Sequence, residues 1–104
     1  MKKSALTGVI AAVIIPLSVT SALAGPIERG CLKSGRDAAN RATCACIQQV
    51  ADMTLTGSDQ RRAAKFFSKP DEAHKVWLSK RAADDAFWER YKNFGATAEA
   101  YCGG

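Results

Sequence analysis

The sequence is short of most of what catalysis or metal binding needs. Its 104 residues contain one histidine, two methionines and three prolines, so an imidazole-based metal centre has a single candidate ligand, His74. A glycine-rich phosphate loop is missing, and so is a serine in a nucleophile-elbow context. Period-two alternation, internal repeats, low-complexity runs and an interdomain linker are also absent, which leaves one small domain as the expectation. Length and composition exclude a multidomain enzyme, a collagen-like repeat and a disordered tail.

What is present divides at residue 24. Residues 1–24 open with Lys2 and Lys3, continue through an apolar run from Ala5 to Leu17, and close on small and hydroxyl residues that include Ala22 and Ala24. A basic start, a short apolar helix and a small-residue end are the marks of a secretory signal peptide cleaved after Ala24. The competing reading is an uncleaved anchor, which the hydroxyl cluster at the end of the run argues against. Gly25 and not a cysteine comes directly after Ala24, so a lipoprotein anchor is not expected, and no twin-arginine pair precedes the apolar run. Cleavage would leave a domain of residues 25–104 in the periplasm or secreted, with its net charge falling from +5 to about +3. No stretch of that domain is apolar enough to span a membrane.

Cys31, Cys44, Cys46 and Cys102 all lie in this domain. An even count in a short exported chain points to two disulfides. A bridge between Cys44 and Cys46 is disfavoured, because residues two apart point to nearly opposite sides of a helix. Cys31 then pairs with one of the two and Cys102 with the other, in either combination. Two other readings of the C-x-C pair are a soft-metal site at Cys44 and Cys46 and a redox-active disulfide. No cofactor is expected.

Abundant alanine and apolar spacings of three and four predict an all-α domain of four to five helices. The first covers Ile27 to Lys33 and ends near Gly35. The second runs from an Asn40 N-cap to Thr54 with Thr43, Ile47, Val50, Ala51 and Leu55 on its inner face. Thr56 and Asp59 suggest a capping box for a third helix over residues 59–68 that buries Ala63, Phe66 and Phe67. Pro70 restarts the chain, with Ala73, Val76 and Trp77 on one side of a fourth helix. The last helix carries a stripe of Ala83, Phe87, Tyr91, Phe94, Ala98 and Tyr101, with Cys102 at its edge, Trp88 off to one side and Gly95 as a point of weakness or close approach. All aromatic residues lie between Phe66 and Tyr101, so the C-terminal half is expected to supply the core and the N-terminal half to be fastened onto it.

No catalytic constellation emerges, and an enzyme is not expected. Asp84, Asp85 and Glu89 resemble a solvated helix face more than an acid–base pair across a cleft. His74, among Glu72, Lys75 and Lys80, reads as surface. Arg61, Arg62, Lys65 and Lys69 form the densest basic cluster and are the candidate surface for an anionic partner, with an ordinary solvated face as the alternative.

The blocks CACIQQVAD (44–52), SDQRRAAKFF (58–67) and AFWERYKNFGATAE (86–99), framed by Cys31 and Cys102, resemble a group of small exported proteins of alphaproteobacteria whose members are often labelled "arginine transporter". The resemblance covers nearly all of the domain and implies export and the cysteine pattern; it supplies no catalytic or binding residues. An accessory role in arginine transport is what the label implies, although a chain with no transmembrane helix beyond its leader forms no transport path alone. The expectation from the residues themselves is an exported binding protein acting on a protein or envelope component, with no nucleic-acid partner.

Overall fold

Each helix boundary has a local cause. The computed structural model describes residues 24–37 and 39–103; the leader assigned to residues 1–24 lies outside them except for Ala24. Helix α1 (Pro26–Leu32) starts on a proline, whose missing N–H is no loss in a first turn. The chain leaves it through Gly35 at φ +73°, a left-handed position that suits glycine. Helix α2 (Arg41–Thr54) is capped by Asn40, whose side chain accepts from the Thr43 N–H at 2.8 Å. Thr56 caps α3 (Gly57–Ser68) through the Asp59 N–H, and Pro70 opens α4 (Pro70–Leu78) one residue after α3 ends. Helix α5 (Ala82–Cys102) ends at Gly103, φ +80°.

These five helices, with no strand among the described residues, form a small disulfide-stapled helical domain. Helix α1 lies against α2 and α3, α2 against α5, and α4 against both α3 and α5. Cys31 is bonded to Cys44 and Cys46 to Cys102. Successive positions on a helix turn by about 100°, so two cysteines two apart reach neighbours on different flanks of α2. Cys44 takes α1 on one flank and Cys46 takes the end of α5 on the other.

The core draws on both halves of the chain, contrary to the expectation that aromatic residues locate it. Ile27, Cys44 and Val50 are as deeply buried as Phe87, and Ala51, Leu55, Ala63, Phe66, Val76 and Phe94 complete the interior. Phe66 meets Phe87 and Tyr91 edge-on, with centroids 6.1 and 5.1 Å apart, an arrangement that suits the ring quadrupoles. The stripe on α5 stops short of its predicted end. Tyr101 is 73% exposed, because the Cys46 bridge turns the neighbouring Cys102 towards α2 instead. At the other end Ala83, in the first turn of α5, is exposed. Trp77 is 57% exposed and Phe67 is half-buried, so neither is a core residue. Trp88 covers the edge of the interior, 5.2 Å from the Tyr91 ring.

The close approach expected at Gly95 is not there. Gly95 sits in an unbroken α5 with open space around it. The close approach is at Gly30, where a Cβ would stand 2.8 Å from the Phe67 ring and 3.3 Å from the Ala64 carbonyl oxygen. That contact is what brings α1 down onto α3.

Candidate functional site

The four basic residues of the predicted cluster separate once the helix is placed. Arg62 turns inward across α3 towards α5: its Nη2 donates to Asp84 Oδ1 at 2.7 Å, and its guanidinium lies 4.5 Å from the Phe87 ring centroid. Asp84 is also the acceptor for the Ser79 hydroxyl at 2.6 Å. The Ser79 hydrogen bond and then Arg62 hold its carboxyl below the usual carboxylate range. Arg62 and Asp84 are therefore a clamp joining α3, the α4–α5 connection and α5. Arg61 and Lys69 are exposed.

Lys65 finds different company. With Arg29 and Lys33 of α1 it lines a groove of about 290 Å3 between α1 and α3, completed by Pro26, Gly30, Ser34, Ala64, Phe67 and Ser68. No carboxylate is among the lining residues. Arg29 and Lys33 are one turn apart on α1, and the absence of a side chain at Gly30 leaves the groove floor open beside the Phe67 ring. None of the three cations takes part in an ion pair among the described residues. Arg29 also donates to the carbonyl of Ala24. Three positive groups line one concavity between α1 and α3, which the close contact at Gly30 brings together, while the Cys31–Cys44 bridge ties α1 to α2.

Carboxylates do not converge anywhere comparable. Asp84 is occupied as described, and Glu89 pairs with Lys92 on the exposed face of α5 at 3.0 Å. Asp85 is exposed, and no three ligating side chains of the described residues cluster as a metal site. Asp59, read in the sequence only as a capping residue, receives a two-point fork from Arg90: Nε to Oδ2 at 2.6 Å and Nη2 to Oδ1 at 3.0 Å. Arg90 holds the Asp59 carboxyl below its ordinary value, against the opposing effect of burial. No pattern in sequence announces this pair, because its members are 31 positions apart.

Cys44 and Cys46 are both consumed in bridges, so neither presents a thiolate to a metal in this form. Cys44 is also fully buried, which closes the Cys31–Cys44 bond to attack by a thiolate in solution. His74 is exposed, with its ring 5.4 Å from that of Trp77. No helix of the described residues is long and apolar enough to cross a membrane.

No family model matches the chain, and neither does any curated protein or solved structure.

Proposed function

We propose that the protein is an exported binding module that holds an anionic group in the groove between α1 and α3. The observation that carries this reading is the meeting of Arg29, Lys33 and Lys65 around a concave surface without a carboxylate. Lysine and arginine in that setting offer charge-assisted donors to a phosphate or carboxylate, and unneutralised positive potential draws such a group in. Two disulfides and the lack of a membrane-crossing helix among the described residues are consistent with an exported protein. Cleavage after Ala24 and residence in the periplasm or medium belong to the same proposal. An arginine-binding accessory of transport would call for carboxylates around the ligand's guanidinium and ammonium, and this groove supplies the opposite charge.

Amide NMR of the purified, oxidised protein titrated with inorganic phosphate tests the reading. The expected result is a saturable shift confined to amides near Gly30, Lys33, Ser34 and Lys65, abolished in a Lys33→Glu, Lys65→Glu variant. Shifts that scatter over all exposed lysines, or that survive in the variant, would overturn it.

A further inference from the structure

The cationic groove does not end at Phe67. On the far side of that ring lies a second groove of about 210 Å3, lined by Cys31, Ser34, Arg36, Ala39, Thr43 and Ile47 together with Phe67 itself. The two share Ser34 and Phe67. A third hollow of about 200 Å3 follows, bounded by Gly95, Ala98, Glu99 and Cys102, and it shares Thr43 and Ile47 with the second. The three adjoin in a row, a track from α3 past the end of α1 to α5 that is interrupted only by the side chains they share.

The helical geometry of α2 explains why the track is apolar in its middle. Thr43 and Ile47 belong to the same inner face as Val50, Ala51 and Leu55. Where that face runs beside Phe66 and Phe87 it is sealed as core. On its first two turns Thr43 and Ile47 stay partly exposed. Cys44 and Cys46 lie to either side of this strip, and their bridges place α1 and α5 along its two flanks.

Charge gives the track a direction. Arg29, Lys33 and Lys65 stand at one end, and Arg36 lies 5.8 Å from the Phe67 centroid at the junction. The far end carries Glu99. We infer that the track binds an amphiphile with an anionic head and a single unbranched apolar chain, the head at Lys33 and Lys65 and the chain along Ile47 towards Ala98. This assignment rests on the anion-binding reading above and adds the tail. The occupant assigned is a fatty acid, whose carboxylate takes the charge-assisted donors; tighter binding of dodecyl phosphate than of dodecanoate would replace it by a monoacyl phosphate.

Competition binding with acetate, octanoate, dodecanoate and dodecyl phosphate, each below its micelle threshold, separates the contributions, with dodecyltrimethylammonium as the charge-reversed control. Each fully buried methylene strengthens binding by up to about four-fold, so dodecanoate is expected to bind at least about a hundredfold more tightly than acetate. The trimethylammonium compound is expected to bind far more weakly. A fatty acid bearing a nitroxide near its methyl end is expected to broaden the amides of Gly95 and Ala98 in the unaltered protein. Ile47→Glu should remove the dependence on chain length and leave phosphate binding in place. Phosphate binding with no dependence on chain length would overturn the tail and spare the anion site. Equal binding of the cationic amphiphile would overturn the head-to-tail assignment. Failure of every anion, phosphate included, would remove both readings together.

Discussion

Arg90 and Asp59 meet as a bidentate fork that ties the first turn of α3 to the middle of α5. Asp59 is buried while Arg90 keeps part of its guanidinium in water, so the carboxylate is the member that depends on the pair. Its pKa is lowered in the fold from 3.8, as is that of Asp84. A carboxyl with a depressed folded value contributes stability that is complete above its unfolded pKa and is lost as pH falls through the folded one. The urea midpoint is therefore expected to hold steady at neutral pH and to drop below about pH 4. In Arg90→Ala the midpoint at neutral pH is lower and the acid-side drop shallower. An unchanged acid limb would show that the fork does not couple to folding.

Disulfide removal should reveal unequal loops. The Cys46–Cys102 bridge spans 56 positions and the Cys31–Cys44 bridge 13. On loop entropy the longer contributes about 4 kcal/mol and the shorter about 3 kcal/mol. Cys44, however, is fully buried, so a serine there adds the cost of a hydroxyl in an apolar site. Cys46→Ser with Cys102→Ser should lower the unfolding free energy by about 4 kcal/mol and release the last turns of α5 to hydrogen exchange. Peptide mapping of the oxidised protein must return these two pairs; a Cys31–Cys46 peptide would contradict the fold.

Gly30 and Gly95 should respond oppositely to alanine. At Gly30 the new methyl meets the Phe67 ring and the Ala64 carbonyl, and over-packing of this kind costs about 1 to 3 kcal/mol. At Gly95 nothing lies within 4 Å, and replacing glycine inside an exposed helix stabilises by about 0.5 to 1 kcal/mol. Thermal unfolding of the two variants measures both signs. Destabilisation by Gly95→Ala would mean that the helix needs to yield there.

Gln48 stands in for the cap that α1 lacks. The N-cap of α1 is Gly25, with no side chain to offer, and Gln48 Oε1 accepts the Glu28 N–H at 2.9 Å. Its Nε2 donates to Gln60 Oε1 and Asp52 Oδ1 at 2.7 and 2.9 Å, and Gln60 Nε2 donates to the same Asp52 oxygen at 3.1 Å. Replacing Gln48 by leucine leaves the buried Gln60 Oε1 without its donor and removes the acceptor at the Glu28 N–H, at a cost of about 1 to 3 kcal/mol. Hydrogen exchange at Glu28 is expected to accelerate; unchanged protection there would show that the cap is dispensable.

These interactions mark where sequence reading stops. Asn40, Thr56 and Pro70 act on their own neighbours, so the helix starts they govern were legible, as was the inner face from Ile47 to Leu55, whereas Thr43 lies outside the core. Two cross-links were legible too, since cysteines two apart on a helix cannot reach one neighbour together. Choosing between the two pairings required knowing which flank of α2 each helix occupies. The Gln48–Gln60 pair leaves no signal in the sequence, because its burial is decided by how α1, α2 and α3 meet. The basic cluster divides for the same reason. Helical spacing joins Arg61, Lys65 and Lys69 along one face of α3, whereas Arg29 and Lys33 reach Lys65 only through the packing that Gly30 allows.

The groove and the face make different demands on single lysines. Calorimetric titration with dodecyl phosphate, below its micelle threshold, of Lys33→Glu and Lys69→Glu compares them directly. Lys33 lines the groove and Lys69 does not, although Lys69 belongs to the basic run on α3. The account predicts that Lys33→Glu lowers affinity at least about tenfold while Lys69→Glu stays within about twofold of the unaltered protein. Equal losses in the two variants would contradict it, returning the anion-binding surface to the open face of α3.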